Sequence, residues 1–210
     1  VLGTVQYTAH MPEVVSKVQR WLDDIANKKV GEPRAPFAIE GTIGAGKTHL
    51  LSDMERALLD GDGAKGTLVI RENLVNAGGG RLLLSTLFGA NLKLGELSEE
   101  VLSSSGENLT QAVAKLPTAS PLRAVLSGAR PKAQTLALWL RGAALTRTQM
   151  QSVGGRSLDA EGERLRAVVH LLRLAANLGV LRVVVFLLDQ LEDLERKAEI
   201  TPLRRARFLT

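Results

Sequence analysis

The octapeptide Gly41-Thr-Ile-Gly-Ala-Gly-Lys-Thr48 limits this chain more than any other stretch of it. It fits G-x-x-x-x-G-K-[ST], the spacing of a phosphate-binding loop. Such a loop needs a buried strand before it and a helix opening directly after it. Both neighbours are legible. Phe37-Ala-Ile-Glu40 is a short apolar run after Pro33 and Pro36 and reads as the strand. Beyond the loop, Leu50, Leu51, Met54, Ala57 and Leu58 recur at helical spacing, with Asp53, Glu55 and Arg56 between them. The turn cluster Asp60-Gly-Asp-Gly63 is the expected stop. Within the loop, Gly41, Gly44 and Gly46 allow turns that a Cβ forbids. The backbone N–H groups through Thr42, Ile43 and Ala45 are then free to form an anion nest. Lys47 suits the β- and γ-phosphates, and the Thr48 hydroxyl suits Mg²⁺.

The remaining elements extend an α/β pattern. Glu13–Asn27 carries the apolar stripe Val14, Val15, Val18, Trp21, Leu22 and Ile25, which predicts a helix. Thr67–Arg71 is a second strand, closing a right-handed parallel βαβ unit. From Glu72 to Asp159 the chain breaks into short helical pieces: over 81–88, from Ser98, over 107–116, over 121–128 and over 131–141. Thr146-Arg-Thr-Gln149 is a capping box that opens one more. Asp159 is the expected cap of a long helix ending at Gly179. Val183-Val-Val-Phe-Leu-Leu188 follows, and its unbroken apolarity predicts a strand covered on both faces. The expected organisation is a lead helix and connector over 1–36, a βαβ unit over 37–71, a helical insertion over 72–159, and a helix–strand return over 160–210. The first and third strands are expected to be neighbours.

The third strand ends in Asp189-Gln-Leu-Glu-Asp193. An acid closing an apolar strand is the Walker B pattern, with Asp189 set to hold Mg²⁺ beside Thr48. Ligands of open α/β sheets sit at the carboxyl ends of the strands, where the loop also lies. Gln190 and Glu192 are the candidates for orienting or activating water. The alternative for these acids is a simple N-terminal cap on the next helix. His49 reads as packed or solvated, and His10 and His170 have no partners at metal-ligand spacing.

Charge narrows the partners. The net charge is +5, yet residues 1–71 balance, with nine Lys and Arg against nine Asp and Glu. The surplus lies in 121–160, where Arg123, Arg130, Lys132, Arg141, Arg147 and Arg156 face Asp159 alone. That stretch is either a contact for DNA phosphates or a solvated face. The absence of cysteine excludes disulfides and thiolate metal sites. No apolar run approaches about 18 residues. A cytoplasmic protein with no membrane partner is therefore expected.

Gly41-x-x-Gly-x-Gly-Lys-Thr-x-Leu-Leu51, the helix–Gly–strand run 171–188 and Asp189-Gln-Leu-Glu-Asp-Leu194 together resemble the AAA+/STAND branch of P-loop ATPases. Trp139-Leu-Arg-Gly142, Leu145-Thr146 and Val153-Gly154 look more narrowly like ATP-binding proteins of bacterial phage-exclusion (BREX-type) islands. The resemblance implies a three-layer P-loop NTPase fold with a parallel sheet and a helical insertion. It also implies binding of ATP and Mg²⁺, ATPase activity, and a place in a larger, DNA-associated assembly, with phage defence as its setting. Homo-oligomers and other subunits are the implied partners. Two departures qualify it. AAA+ proteins carry Glu after the Walker B Asp, where this chain has Gln190, as STAND proteins often do. Sensor, arginine finger and lid have no counterpart before Thr210, so the chain reads as part of a longer module. The competing functions are a STAND-like switch with little turnover and a P-loop small-molecule kinase.

Overall fold

A computed structural model describes residues 12–27, 37–39, 42, 44–60, 65–73, 93–128 and 130–190. The chain is α/β, and it divides into two compact units, Val1–Leu83 with Val183–Thr210, and Leu84–Arg182. No helix among the described residues is long and apolar enough to cross a membrane.

The first unit is built from α1 (Pro12–Asn27), α2 (Lys47–Leu59), β1 (Thr67–Asn73) and β2 (Val183–Asp189). Val18, Leu22 and Ile25 repeat at i, i+4 and i+7, and that single stripe is the buried side of α1. Leu50, Leu51, Met54, Ala57 and Leu58 do the same for α2. Both stripes join Val183, Val185 and Leu187 in one core. Truncating a fully enclosed member such as Leu58 to alanine removes about 2–5 kcal/mol. The strands β1 and β2 pair in parallel, with Thr67 opposite Val183 and Asn73 opposite Asp189.

Two expectations need correction here. Phe37–Ile39 forms no strand, and Glu40 lies outside the described residues. The described sheet therefore pairs the expected second and third strands with each other. Phe37 and Ile39 are partly buried and pack on the core, and the Phe37 ring lies 5.9 Å from that of Trp21. The apolar run 183–188 is also not covered evenly. Val183, Val185 and Leu187 are buried, while Phe186 between them is 39% exposed. The period of two assigns alternate residues to opposite faces whatever their hydrophobicity.

The second unit is helical, with α3 (Leu94–Ser103), α4 (Gly106–Ala114), α5 (Pro121–Gly128), α6 (Ala133–Leu140), α7 (Arg147–Ser152) and α8 (Glu161–Asn177). The last of these touches α3, α4, α5 and α6 through Ala167, Val168, Leu171, Leu174 and Ala175. Several boundaries follow the sequence signals. Ser120 Oγ accepts from Arg123 N at 3.2 Å ahead of Pro121, and the Thr146–Gln149 capping box forms. The α8 helix closes with Gly179 N–H on Ala176 O and Val180 N–H on Ala175 O.

Two boundaries differ. The α3 helix starts at Leu94, not Ser98, because Leu94, Leu97 and Val101 share its buried side and Ser98 is enclosed among them. Asp159 does not cap α8: the N-cap is Ala160, and the first-turn acids are Glu161 and Glu163. The predicted helix over 81–88 lies outside the described residues.

Candidate functional site

The loop enters α2 through left-handed backbone. Gly44 and Gly46 both have φ 81°, and Gly46 is the N-cap of α2. A Cβ at Gly44 would meet nothing within 4 Å, so the demand for glycine there is conformational and not steric. Ala45 N–H donates to Thr42 O at 3.2 Å, which closes the turn between them and engages an amide that was expected to be free for an anion nest. Lys47 Nζ folds back to donate to Thr42 O at 3.1 Å. Gly46 has no side chain to cap the first-turn amides of α2. Those donors and the positive end of the helix dipole suit an anion. Gly41 and Ile43 lie outside the described residues.

The far ends of the strands meet this helix end. Arg71, two residues before the end of β1, donates from Nη2 to Thr48 O at 3.2 Å. Its Nη1 donates to Ser52 Oγ at 2.7 Å and to Glu55 Oε2 at 3.1 Å. The carboxyl end of β1 therefore lies beside the first two turns of α2. Arg71 is in register with Leu187, and Leu187 belongs to the core shared with α2. Asp189 is two residues further along β2, on the same side of the strand as Leu187. It is 5% exposed.

Gln190, the next residue, has φ 62°, a left-handed conformation that non-glycine residues seldom take. Among the described residues its Oε1 is buried without a hydrogen-bond partner. Glu192 lies outside the described residues.

Sequence reasoning passed over Arg71, Ser52 and Glu55. Thr48, Ser52 and Glu55 repeat at i, i+4 and i+7, a polar stripe along a helix that precedes an expected strand, 67–71, ending in arginine. That pattern was the available signal. Among the described residues His49 belongs to no group that could hold a metal. It stands 3.7 Å from Asp53 Oδ2, and Asp53 also pairs with Arg56.

The basic stretch is largely engaged in holding its own unit together. Arg123 Nη1 donates to Leu116 O at 2.8 Å, and Arg130 Nη2 to Gly106 O at 3.5 Å. Arg156 pairs with Glu163 at 2.5 Å, while its carbonyl accepts from the Trp139 indole at 2.7 Å. Lys132 and Arg147 stand exposed. Compared with known protein families, with curated proteins and with solved structures, the chain matches none.

Proposed function

We propose that the chain is an ATP-binding module of the P-loop kind, related to the AAA+/STAND branch, with the three-layer α/β fold of that superfamily. The observation that supports this reading is the presence of two independent features in the first unit. These are a helix N-terminus entered through left-handed glycines, and a buried acid at the end of β2, Asp189, on the side of the strand that Leu187 gives to the core shared with α2. Phosphate needs the first and Mg²⁺ the second. In this reading residues 41–48 enclose the phosphates, and Lys47 leaves Thr42 O for the β- and γ-oxygens. The Thr48 hydroxyl and Asp189 hold Mg²⁺, which neutralises charge on the phosphates.

The test is Lys47→Ala titrated with ATP by calorimetry. A charge-assisted contact is worth about 1.5–3 kcal/mol, so affinity falls about tenfold or more while the fold persists. Unchanged affinity removes the loop from consideration.

Gln190 favours a second reading within the same site, a nucleotide-held switch with little turnover. An amide orients water but is a poor proton acceptor. Phosphate release measured with and without DNA separates switch from motor. Membership of a larger cytoplasmic assembly acting on DNA, with phage defence as its role, is part of the proposal. Its support is the resemblance of the sequence and the surplus of cations over 121–160. Direct contact with DNA phosphates falls first to Lys132 and Arg147.

A further inference from the structure

We propose that Arg71 is a positioning residue for the phosphate loop, acting through the carbonyl of Thr48. This rests on the reading of residues 41–48 as a nucleotide site and goes one step beyond it.

The geometry is a fork. One arm of the guanidinium holds Thr48 O at 3.2 Å; the other holds Ser52 Oγ at 2.7 Å and Glu55 Oε2 at 3.1 Å. Ser52 Oγ donates in turn to the same Thr48 carbonyl at 3.0 Å. Thr48 O thus takes two side-chain donors, one from its own helix and one from the sheet. A peptide held in this way resists rotation, and the orientation of the Thr48 side chain and the first-turn N–H groups depends on it. Glu55 keeps the guanidinium in place. Arg71 and Glu55 are 29% and 33% exposed, a half-buried pair that water screens less than a surface one.

The residue type matters. Arginine presents several donors in a rigid plane and satisfies three acceptors from one position, whereas an ammonium is a point charge that satisfies fewer in fixed geometry. The fork also ties the loop to β1, whose last residue stands opposite Asp189. Arg71 therefore sets the two Mg²⁺-binding candidates, Thr48 and Asp189, relative to each other. It touches neither phosphate nor metal in this role.

The experiment uses the whole chain with ATP as the probe, in Mg²⁺ and separately in EDTA. Thr48 meets the nucleotide largely through the metal, so the two conditions separate positioning from general damage. Arg71→Gln is expected to lower affinity about tenfold in Mg²⁺ and less than about threefold in EDTA. Amide exchange over 47–52 should accelerate, and Arg71→Lys should restore part of the Mg²⁺-dependent affinity. Equal losses in both conditions, or no loss, overturn the positioning role. If Arg71→Gln does not fold, Arg71→Lys and Glu55→Gln carry the same comparison. If the unaltered protein binds no ATP in either condition, the site reading itself fails and the role falls with it. A site that binds ATP but ignores Arg71 sinks only the present inference.

Discussion

Asp189, the last residue of β2, stands directly opposite Asn73, the last residue of β1. Both strands thus stop at one level, and the buried carboxyl group sits at the edge of the sheet and not within it. A buried carboxylate needs a partner for its charge, and a cation is one such partner.

Asp189→Asn keeps the shape of this group and removes its charge. The Mg²⁺-dependent part of ATP affinity should fall about tenfold or more, since ligand charge dominates binding of a hard cation. Affinity in EDTA should be little changed. Calorimetry in the two conditions checks this, and a variant that retains full Mg²⁺ dependence places the metal elsewhere.

Gly142→Ala tests how the helical unit is closed. Gly142 follows α6 with φ 68°, and the turn is locked by Gly142 N–H on Trp139 O and Ala143 N–H on Leu138 O. An added Cβ would lie 2.8 Å from Arg164 Cδ and Nη1. Arg164 is a flexible side chain and yields cheaply, so the cost is chiefly the left-handed backbone, about 1–2 kcal/mol. Urea unfolding should show this as a lower midpoint with the same slope. A change under about 0.5 kcal/mol would mean the turn relaxes to another conformation.

His170 gives the helical unit a pH dependence. It is 6% exposed on α8, and its Nδ1 has no hydrogen-bond partner among the described residues. Burial, and then the charges of Arg173 and Arg166, hold its pKa below the ordinary 6.5. The folded state therefore binds the proton more weakly than the unfolded chain. Its stabilising contribution is complete above pH 6.5 and is lost as pH falls through that value toward the folded pKa. The slope is at most about 1.4 kcal/mol per pH unit. Denaturation midpoints between pH 7.5 and 5.5 should fall less steeply in His170→Leu than in the parent. Parallel curves would assign the acid sensitivity to other groups.

Charge reversal at Lys132 and Arg147 examines nucleic-acid binding without disturbing the arginines that brace the fold. If the intact protein binds DNA through them, affinity drops for every sequence alike. The salt slope then shrinks by about one for each phosphate that is no longer neutralised. Binding that does not respond returns these two cations to the solvated surface.

Much of this molecule was legible because its signals are local. The capping box at Thr146, the Ser120–Pro121 start and the Gly179 stop each depend on a few adjacent residues, and each formed as read. The glycine turns at 44 and 46 belong to the same class. What sequence misjudged depends on neighbours remote in the chain. Phe37–Ile39 has strand composition, yet it takes no strand conformation and packs on Trp21 and the core. Ser98 reads as the start of a helix until Leu94 is seen to be buried one turn earlier. Arg71 looked like the polar end of a strand, and only the approach of α2 reveals its three acceptors.

The rate of ATP turnover should be limited by Gln190. Its left-handed backbone, φ 62°, turns the chain immediately after Asp189. Among the described residues its Oε1 is buried with no hydrogen-bond partner, next in the chain to the metal-binding candidate. Such an atom can orient a water molecule, but an amide does not take up its proton. Gln190→Glu is nearly isosteric, costs the same backbone strain, and supplies a base at that position. General-base catalysis contributes about 10²–10⁴-fold, so phosphate release should rise by at least the lower figure, with ATP affinity within a few-fold of the parent. Affinity measured alongside the rate separates chemistry from binding. A carboxylate next to Asp189 also adds like charge, so the gain should be largest in saturating Mg²⁺. If the rate is flat while ATP still binds, Gln190 is not limiting and the base lies elsewhere, with Glu192 the next residue to substitute. If the parent already turns over at about 1 s⁻¹, the low end of ordinary enzymes, the slow-switch reading is excluded and the motor reading stands.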